Sequence, residues 1–223
     1  TGQILIKEWL PPPMSDAVRN ALADIEISGG TDAPDIDPDW GEPGLSPVEQ
    51  VYAWNSFEVL AYRTGDPRQP VNAVPPEARA HCRLRFIAGT DRDNILPALR
   101  KHLDDHGFEA VQIEPPPPEN AIDFNASATP PDNPWAAWTA DAMARTTGKK
   151  TAVIPSLGGS ICNDLFNVTL GLPSIWIPHS YSACSQHAPN EHILLSEARE
   201  ALTIMAGVYW DLGEPGTPGK KAH

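Results

Sequence analysis

The chain has 223 residues, 41% of them hydrophobic, which is enough to bury a core in one large domain or two small ones. Its formal net charge of −13, with no run of Lys or Arg set against it, argues against nucleic acid or an anionic membrane as the main partner. No apolar stretch reaches the roughly 18 residues that span a bilayer; with no charged-then-apolar signal sequence and three scattered cysteines lacking a CxxC motif, the reading is of reduced thiols in a cytoplasmic protein.

The sequence starts TGQILIKEWL, without Met, and drops straight into a strand-like run over 3–10, so it reads as a piece of something longer. Pro11 to Pro13 end that run. Ser15 then caps a helix that carries Val18, Ala21, Leu22 and Ile25 on one face. Residues 29–45 are acidic and rich in turn formers, hence a loop. Ser46, Pro47 and Glu49 make a capping box with proline at the first helical position. SFEVLAYR (56–63) reads as a strand. EARAHCRLRFI (77–87) alternates with period two, placing Ala80, Cys82, Leu84 and Phe86 on one face and Arg79, His81, Arg83 and Arg85 on the other. A helix over 94–106 carries Ile95, Leu99 and Leu103, tolerates Pro97 in its first turn and stops at Gly107. FEAVQIE (108–114) reads as a third strand, giving a small α+β sheet with helices on one face.

PPPPENAIDFNASATPPD (115–132) breaks the pattern and marks a domain boundary. Asn133 and Pro134 open a helix that turns Trp135, Trp138 and Ala142 inward and stops at Gly148. TAVIP (151–155) reads as a short buried strand, SLGGS (156–160) as a tight turn and NDLFNVTLG (163–171) as a helix. PSIWIP (173–178) is a second buried strand, and it leads into HSYSACSQHAPNEH (179–192). A last helix from about Leu194 to Leu212 shows Ala198, Leu202, Met205 and Tyr209 at helical spacing. Buried strands alternating with helices indicate parallel α/β, where ligands bind at loops leaving the carboxyl ends of strands. Both SLGGS and the histidine loop are such loops.

His179, His187 and His192 fall within fourteen residues, but their spacing matches neither HExxH nor a zinc finger, so ordinary loop histidines stand beside a metal role. Gly158 and Gly159 let a backbone approach a ligand, and Ser160 with the following amides could hold an oxyanion; a plain turn is the alternative. The arginine face of the second strand is either solvated or lends one guanidinium to a carboxylate. GxGxxG, GxSxG and P-loop motifs are absent, so nucleotide and serine-hydrolase chemistry have no foothold.

Taken together, NAVPPEARAHCRLRF, then PSLGGSICNDLFNVTLGLPSIWIPHS, then SQHAPNEH and a long terminal helix resemble the di-zinc aminoacylase, carboxypeptidase G, carnosine dipeptidase and succinyl-diaminopimelate desuccinylase family. GGS, LGLP and HxPNE recur in the right order and separation. The resemblance implies an α/β fold: a ferredoxin-like α+β lid and dimerisation domain over 1–118, incomplete at its N-terminus, and the second half of a zinc-peptidase-like catalytic domain over 119–223. It implies hydrolysis of an amide or peptide bond in a small N-acyl amino acid or peptide by water activated between two zinc ions, with manganese or cobalt as other candidates. His187 matches a metal ligand. Gly158, Gly159 and Ser160 match the substrate-binding turn, and Asn72 and Arg85 match lid groups that hold the substrate, Arg85 its carboxylate. The family's other metal ligands and its catalytic glutamate precede the lid and are not in this sequence, so no catalytic residue is assigned and the chain alone is expected to be inactive. Leu157 stands where the dipeptidase branch has an acidic residue, which counts against recognition of a substrate amine. A homodimer through the lid is implied. A non-catalytic dimerisation or binding protein on the same scaffold is the competing reading.

Overall fold

Helices in this chain begin where a side chain can take the first free amides. Ser15 accepts from the Val18 amide and starts α1 (Asp16–Leu22). Ser46 accepts from Glu49 while the Glu49 carboxylate accepts from the Ser46 amide at 2.8 Å, closing the expected capping box at α2 (Pro47–Ala53). That amide, opposed by burial and helped by the Ser46 hydroxyl and Arg19, holds the Glu49 carboxyl below its ordinary range. Asn133 accepts from the Trp135 amide ahead of α4 (Pro134–Thr147), which stops at Gly148 with φ 69°. In this computed structural model residues 2–27, 35, 37–116, 125–159, 161–181 and 183–219 are described.

Strands β1 (Ser56–Thr64) and β2 (Ala78–Arg85) pair antiparallel, with Phe57 opposite Leu84 and Glu58 opposite Arg83, and a bulge at Leu60. Leu84 packs against a core of Ile4, Ile6, Trp9 and Ala98, where α3 (Ile95–Asp105) also contributes Ile95 and Leu99. Asn55, 3% exposed, ties three segments together: its amide donates to the Trp9 carbonyl at 2.7 Å and to Thr90, and its oxygen accepts from the Ile87 amide at 2.9 Å. A buried amide used at both ends fixes the sheet against the N-terminal segment.

Several expected strands do not form. Residues 3–10 hold only a 3-10 turn, Lys7–Trp9; the Ile4 amide finds the Glu42 carboxylate and the Trp9 indole donates to the Ile95 carbonyl at 3.0 Å. Ile4 and Ile6 therefore bury as anchors of a tied-down coil. Residues 108–114 are irregular because Arg100 takes the Phe108 and Val111 carbonyls a strand neighbour would need. TAVIP and PSIWIP have no strand partner among the described residues, and Ile154 and Trp176 are 41% and 51% exposed. A parallel strand needs neighbours on its edges and helices on its faces. Among the described residues the only sheet is the two-stranded β1–β2 pair, so the parallel sheet and the fuller ferredoxin-like sheet are absent there.

The expected helix over 163–171 is one π-helical turn, Leu165–Thr169, capped by Asp164 and ended at Gly171 with φ 65°. Helix α5 (Leu195–Asp211) forms as read, but its buried positions are Ala201 and Val208, while Leu202 and Tyr209 are 72% and 69% exposed. It packs on α4 through small residues. A Cβ on Gly207 would fall 2.1 Å from the Thr146 hydroxyl; an Arg145–Asp211 pair bridges the two helices at 2.7 Å, and Lys149, just past the end of α4, reaches Glu200 at 3.0 Å. In α4 the deeply buried residues are Ala136, Thr139 and Ala142; Trp135 and Trp138 are only half-buried, edge to face at 5.8 Å. No helix among the described residues is long and apolar enough to cross a membrane.

Candidate functional site

Arg85 ends β2 on the face opposite Leu84, as the alternation requires, and so points away from the core around Trp9. Its Nε donates to both Glu58 carboxylate oxygens, at 3.2 and 3.3 Å. Glu58 sits diagonally across the pair, directly opposite Arg83, where side chains two residues out of register still meet. With its Nε edge held, the guanidinium extends Nη1 to within 3.9 Å of the place a Cβ would take on Gly158. Thus an arginine of the hairpin and the Gly-Gly turn, 73 positions apart (158 − 85), come together.

The next residue of the turn meets an aromatic wall. A Cβ on Gly159 would lie 3.4 and 3.5 Å from two carbons of the Trp176 six-membered ring. Sequence reasoning missed both Glu58 and Trp176. The period-two pattern of SFEVLAYR already placed Glu58 on the face away from Phe57, so the register could have revealed it. Trp176 lay within an apolar run read as a buried strand, and nothing local separates a core indole from a half-exposed one.

The other residues singled out from sequence are placed less tightly. Asn72 lies exposed in the connection between β1 and β2. Ser160 lies outside the described residues. His187 is exposed in a loop where Ser185, His187 and Asn190 have φ of 57°, 60° and 66°. Non-glycine residues are uncommon in that region, and three within six positions mark a backbone shape set against local preference. The His187 amide donates to the Glu191 carboxylate at 3.3 Å, and the His192 amide to the carbonyl of buried Cys184 at 3.0 Å. His192 is fully engaged: Nδ1 meets the Asn190 carbonyl at 2.8 Å and must carry the proton, leaving Nε2 to accept from the Tyr181 hydroxyl at 2.6 Å. Of these two, the His187 ring is therefore the better candidate for a metal. Among the described residues no three His, Cys, Asp or Glu side chains gather as a metal-binding group.

A cleft of about 380 Å³ lies elsewhere, between the 88–89 loop, the 126–130 segment and 167–173. Two of its polar side chains, Thr129 and Asn167, are spent on neighbouring segments. The Thr129 hydroxyl donates to the Ser174 carbonyl at 2.9 Å and accepts from the Ser174 amide and from Asn167, whose amide also donates to the Leu172 carbonyl. This is a structural tie between segments.

No protein-family model matches the sequence, nor does any curated protein. Solved structures do match. An M20 family metallo-carboxypeptidase, Sso-CP2 of Sulfolobus solfataricus, superposes with a TM-score of 0.68 at 17% identity, over 93% of this chain and 48% of that one. The di-peptidase Dug1p of Saccharomyces cerevisiae superposes with a TM-score of 0.66 at 16% identity, over 96% of this chain and 46% of that one. The chain shares their fold. It spans about half the length of these structures, and at this identity the likeness shows the fold alone.

Proposed function

We propose that this chain is the lid and the second catalytic half of a metal-dependent hydrolase that cleaves an amide or peptide bond in a small N-acyl amino acid or peptide. The observation that carries the reading is Arg85 Nη1 beside Gly158 in a chain with the fold of two metallopeptidase structures. A charged fork next to bare backbone is a place for a carboxylate: Arg85 grips it and the Gly158–Ser160 turn lets the substrate backbone lie close. Asn72 belongs to the same lid and would reach the substrate from the connection between the strands.

His187 would hold one of two zinc ions, with manganese or cobalt as alternatives. The ions would supply Lewis-acid polarisation of the scissile carbonyl and a water acidic enough to react near neutral pH. One exposed imidazole fits a place in a shared site and is too few for a site by itself. This chain's own work is to bind and orient: Glu58 sets the Arg85 fork, and Glu191 and the left-handed backbone set the position of His187. The remaining ligands and the general base come from sequence beyond this chain, which alone is inactive.

The boundary between 1–118 and 119–223 is supported by the packing, since the principal contacts of helices and strands stay on one side or the other of 115–132. A homodimer through the lid is supported by β1, whose Val59, Leu60 and Tyr62 are exposed apolar residues on a two-stranded sheet. The protein is read as cytoplasmic. Kinetics of Arg85→Ala on N-acyl amino acids, in a protein that carries both halves, test the reading: loss of kcat/KM by about a hundredfold is expected, the loss of one desolvated charged hydrogen-bond pair. An unchanged value overturns it.

A further inference from the structure

Glycine at 158 and 159 is required neither by backbone shape nor by crowding. Neither residue has a left-handed φ. Among the described residues, a Cβ at Gly158 would meet only Arg85 Nη1 within 4 Å, at 3.9 Å, and one at Gly159 would have the Trp176 ring as its near neighbour. Both are ordinary contacts, so alanine fits at either position. What the two glycines contribute is open space over the turn, with a guanidinium at one end and the outer edge of a half-exposed indole at the other.

We propose that Trp176 is a specificity-determining residue: the slot over Gly158–Gly159 takes a carboxylate that carries an aromatic or bulky apolar group, with that group against the indole. This rests on the reading of Arg85 as the carboxylate grip. Two features favour an apolar over an acidic ligand. The indole offers a large apolar face that water covers poorly. Glu58 already occupies the Nε edge of Arg85 at 3.2 Å, so a second carboxylate on the ligand finds a like charge beside the one guanidinium it would share.

The test titrates the 15N-labelled chain with N-acetyl-L-phenylalanine, N-acetylglycine and N-acetyl-L-aspartate, following the Gly158 and Gly159 amides and the Trp176 indole N–H by NMR. The phenylalanine derivative should bind about tenfold more tightly than the glycine one, the order of gain an aromatic contact with its buried area gives. The aspartate derivative should bind no better than glycine. Trp176→Ala should reduce the phenylalanine preference to within about twofold while leaving the affinity for N-acetylglycine nearly unchanged. Gly159→Val, which fills the slot without touching Arg85, should weaken both ligands about tenfold or more, and it carries the test should Trp176→Ala not fold. Equal affinities for the phenylalanine and glycine derivatives in the unmodified chain, a preference that survives Trp176→Ala, or affinities unmoved by Gly159→Val overturn the wall and leave the carboxylate grip standing. Absence of any shift at Gly158 and Gly159 with all three ligands, or binding indifferent to Arg85→Ala, overturns the grip and the wall with it.

Discussion

Residues 46–107 and residues 149–193 satisfy their backbones in opposite ways. In the first stretch a capping box, a two-stranded ladder and one buried asparagine close most of the hydrogen bonds within the segment or onto its near neighbours. In the second, residues 151–155 and 173–178 have no ladder among the described residues, and Ile154, Leu157, Ile161, Ile175, Trp176 and Ile193 are left exposed. A segment of the first kind can hold a side chain such as Arg85 in place by itself. One of the second kind has the composition of a sheet interior without the sheet, and its functional geometry depends on what lies against it.

The sharpest way to break that contrast is at His187. In a protein with both halves, His187→Ala should nearly abolish turnover and lower zinc content from two ions to one, read by activity and metal analysis together, whereas His192→Ala should leave the stoichiometry at two because that ring is already committed to Asn190 and Tyr181. Arg85→Ala comes next, at about a hundredfold in kcat/KM, with Arg85→Lys recovering part of it because the planar fork is gone. Arg79→Ala should be close to silent, since Arg79 is an exposed residue paired loosely to Glu77 and Glu114 at 3.4 and 3.5 Å. Matching losses at Arg79 and Arg85 would return the arginine face to solvent.

Smaller effects test the scaffold. Gly207→Ala should destabilise the α4–α5 pair by about 1–3 kcal/mol in chemical denaturation, because its Cβ cannot coexist with the Thr146 hydroxyl. Adding Thr146→Ala should recover part of that loss. At His187 the sign reverses: φ of 60° suits glycine, so His187→Gly should raise stability by about 1 kcal/mol even as it removes the proposed metal ligand. The Glu49 carboxyl titrates below its ordinary 4.5 when folded, so its contribution is complete above that pH and is lost as pH falls through the lowered value. Ser46→Ala should cost about 1 kcal/mol at neutral pH and flatten this acid limb.

What could be read from sequence follows the same division. Ser15, Ser46 and Asn133 announce helix starts because a cap acts within three residues, and Gly107 and Gly148 announce stops for the same reason. The β1–β2 alternation gave the face of Arg85. Apolar runs at 108–114, 151–155 and 173–178 carry strand composition, but pairing is decided by distant residues that composition does not name: Arg100 takes the carbonyls of the first, and the other two have no strand partner among the described residues. The inward face of α5 was misread by about one position because Gly207, which a hydrophobicity pattern ignores, sets the approach to α4. Of the candidate site, Arg85 with Gly158 and Gly159 was legible as a motif; its partners Glu58 and Trp176 are products of register and tertiary contact.

The most direct measurement is turnover of N-acyl amino acids and dipeptides by the purified 223-residue chain supplied with zinc. One matched imidazole cannot assemble two metals and a general base, so no zinc-dependent hydrolysis is expected from the chain alone, although binding of an acyl amino acid at Arg85 should persist. Turnover at about 1 s⁻¹ or faster, abolished by a chelator, would mean that this chain holds a complete active site and would contradict the division of labour argued here.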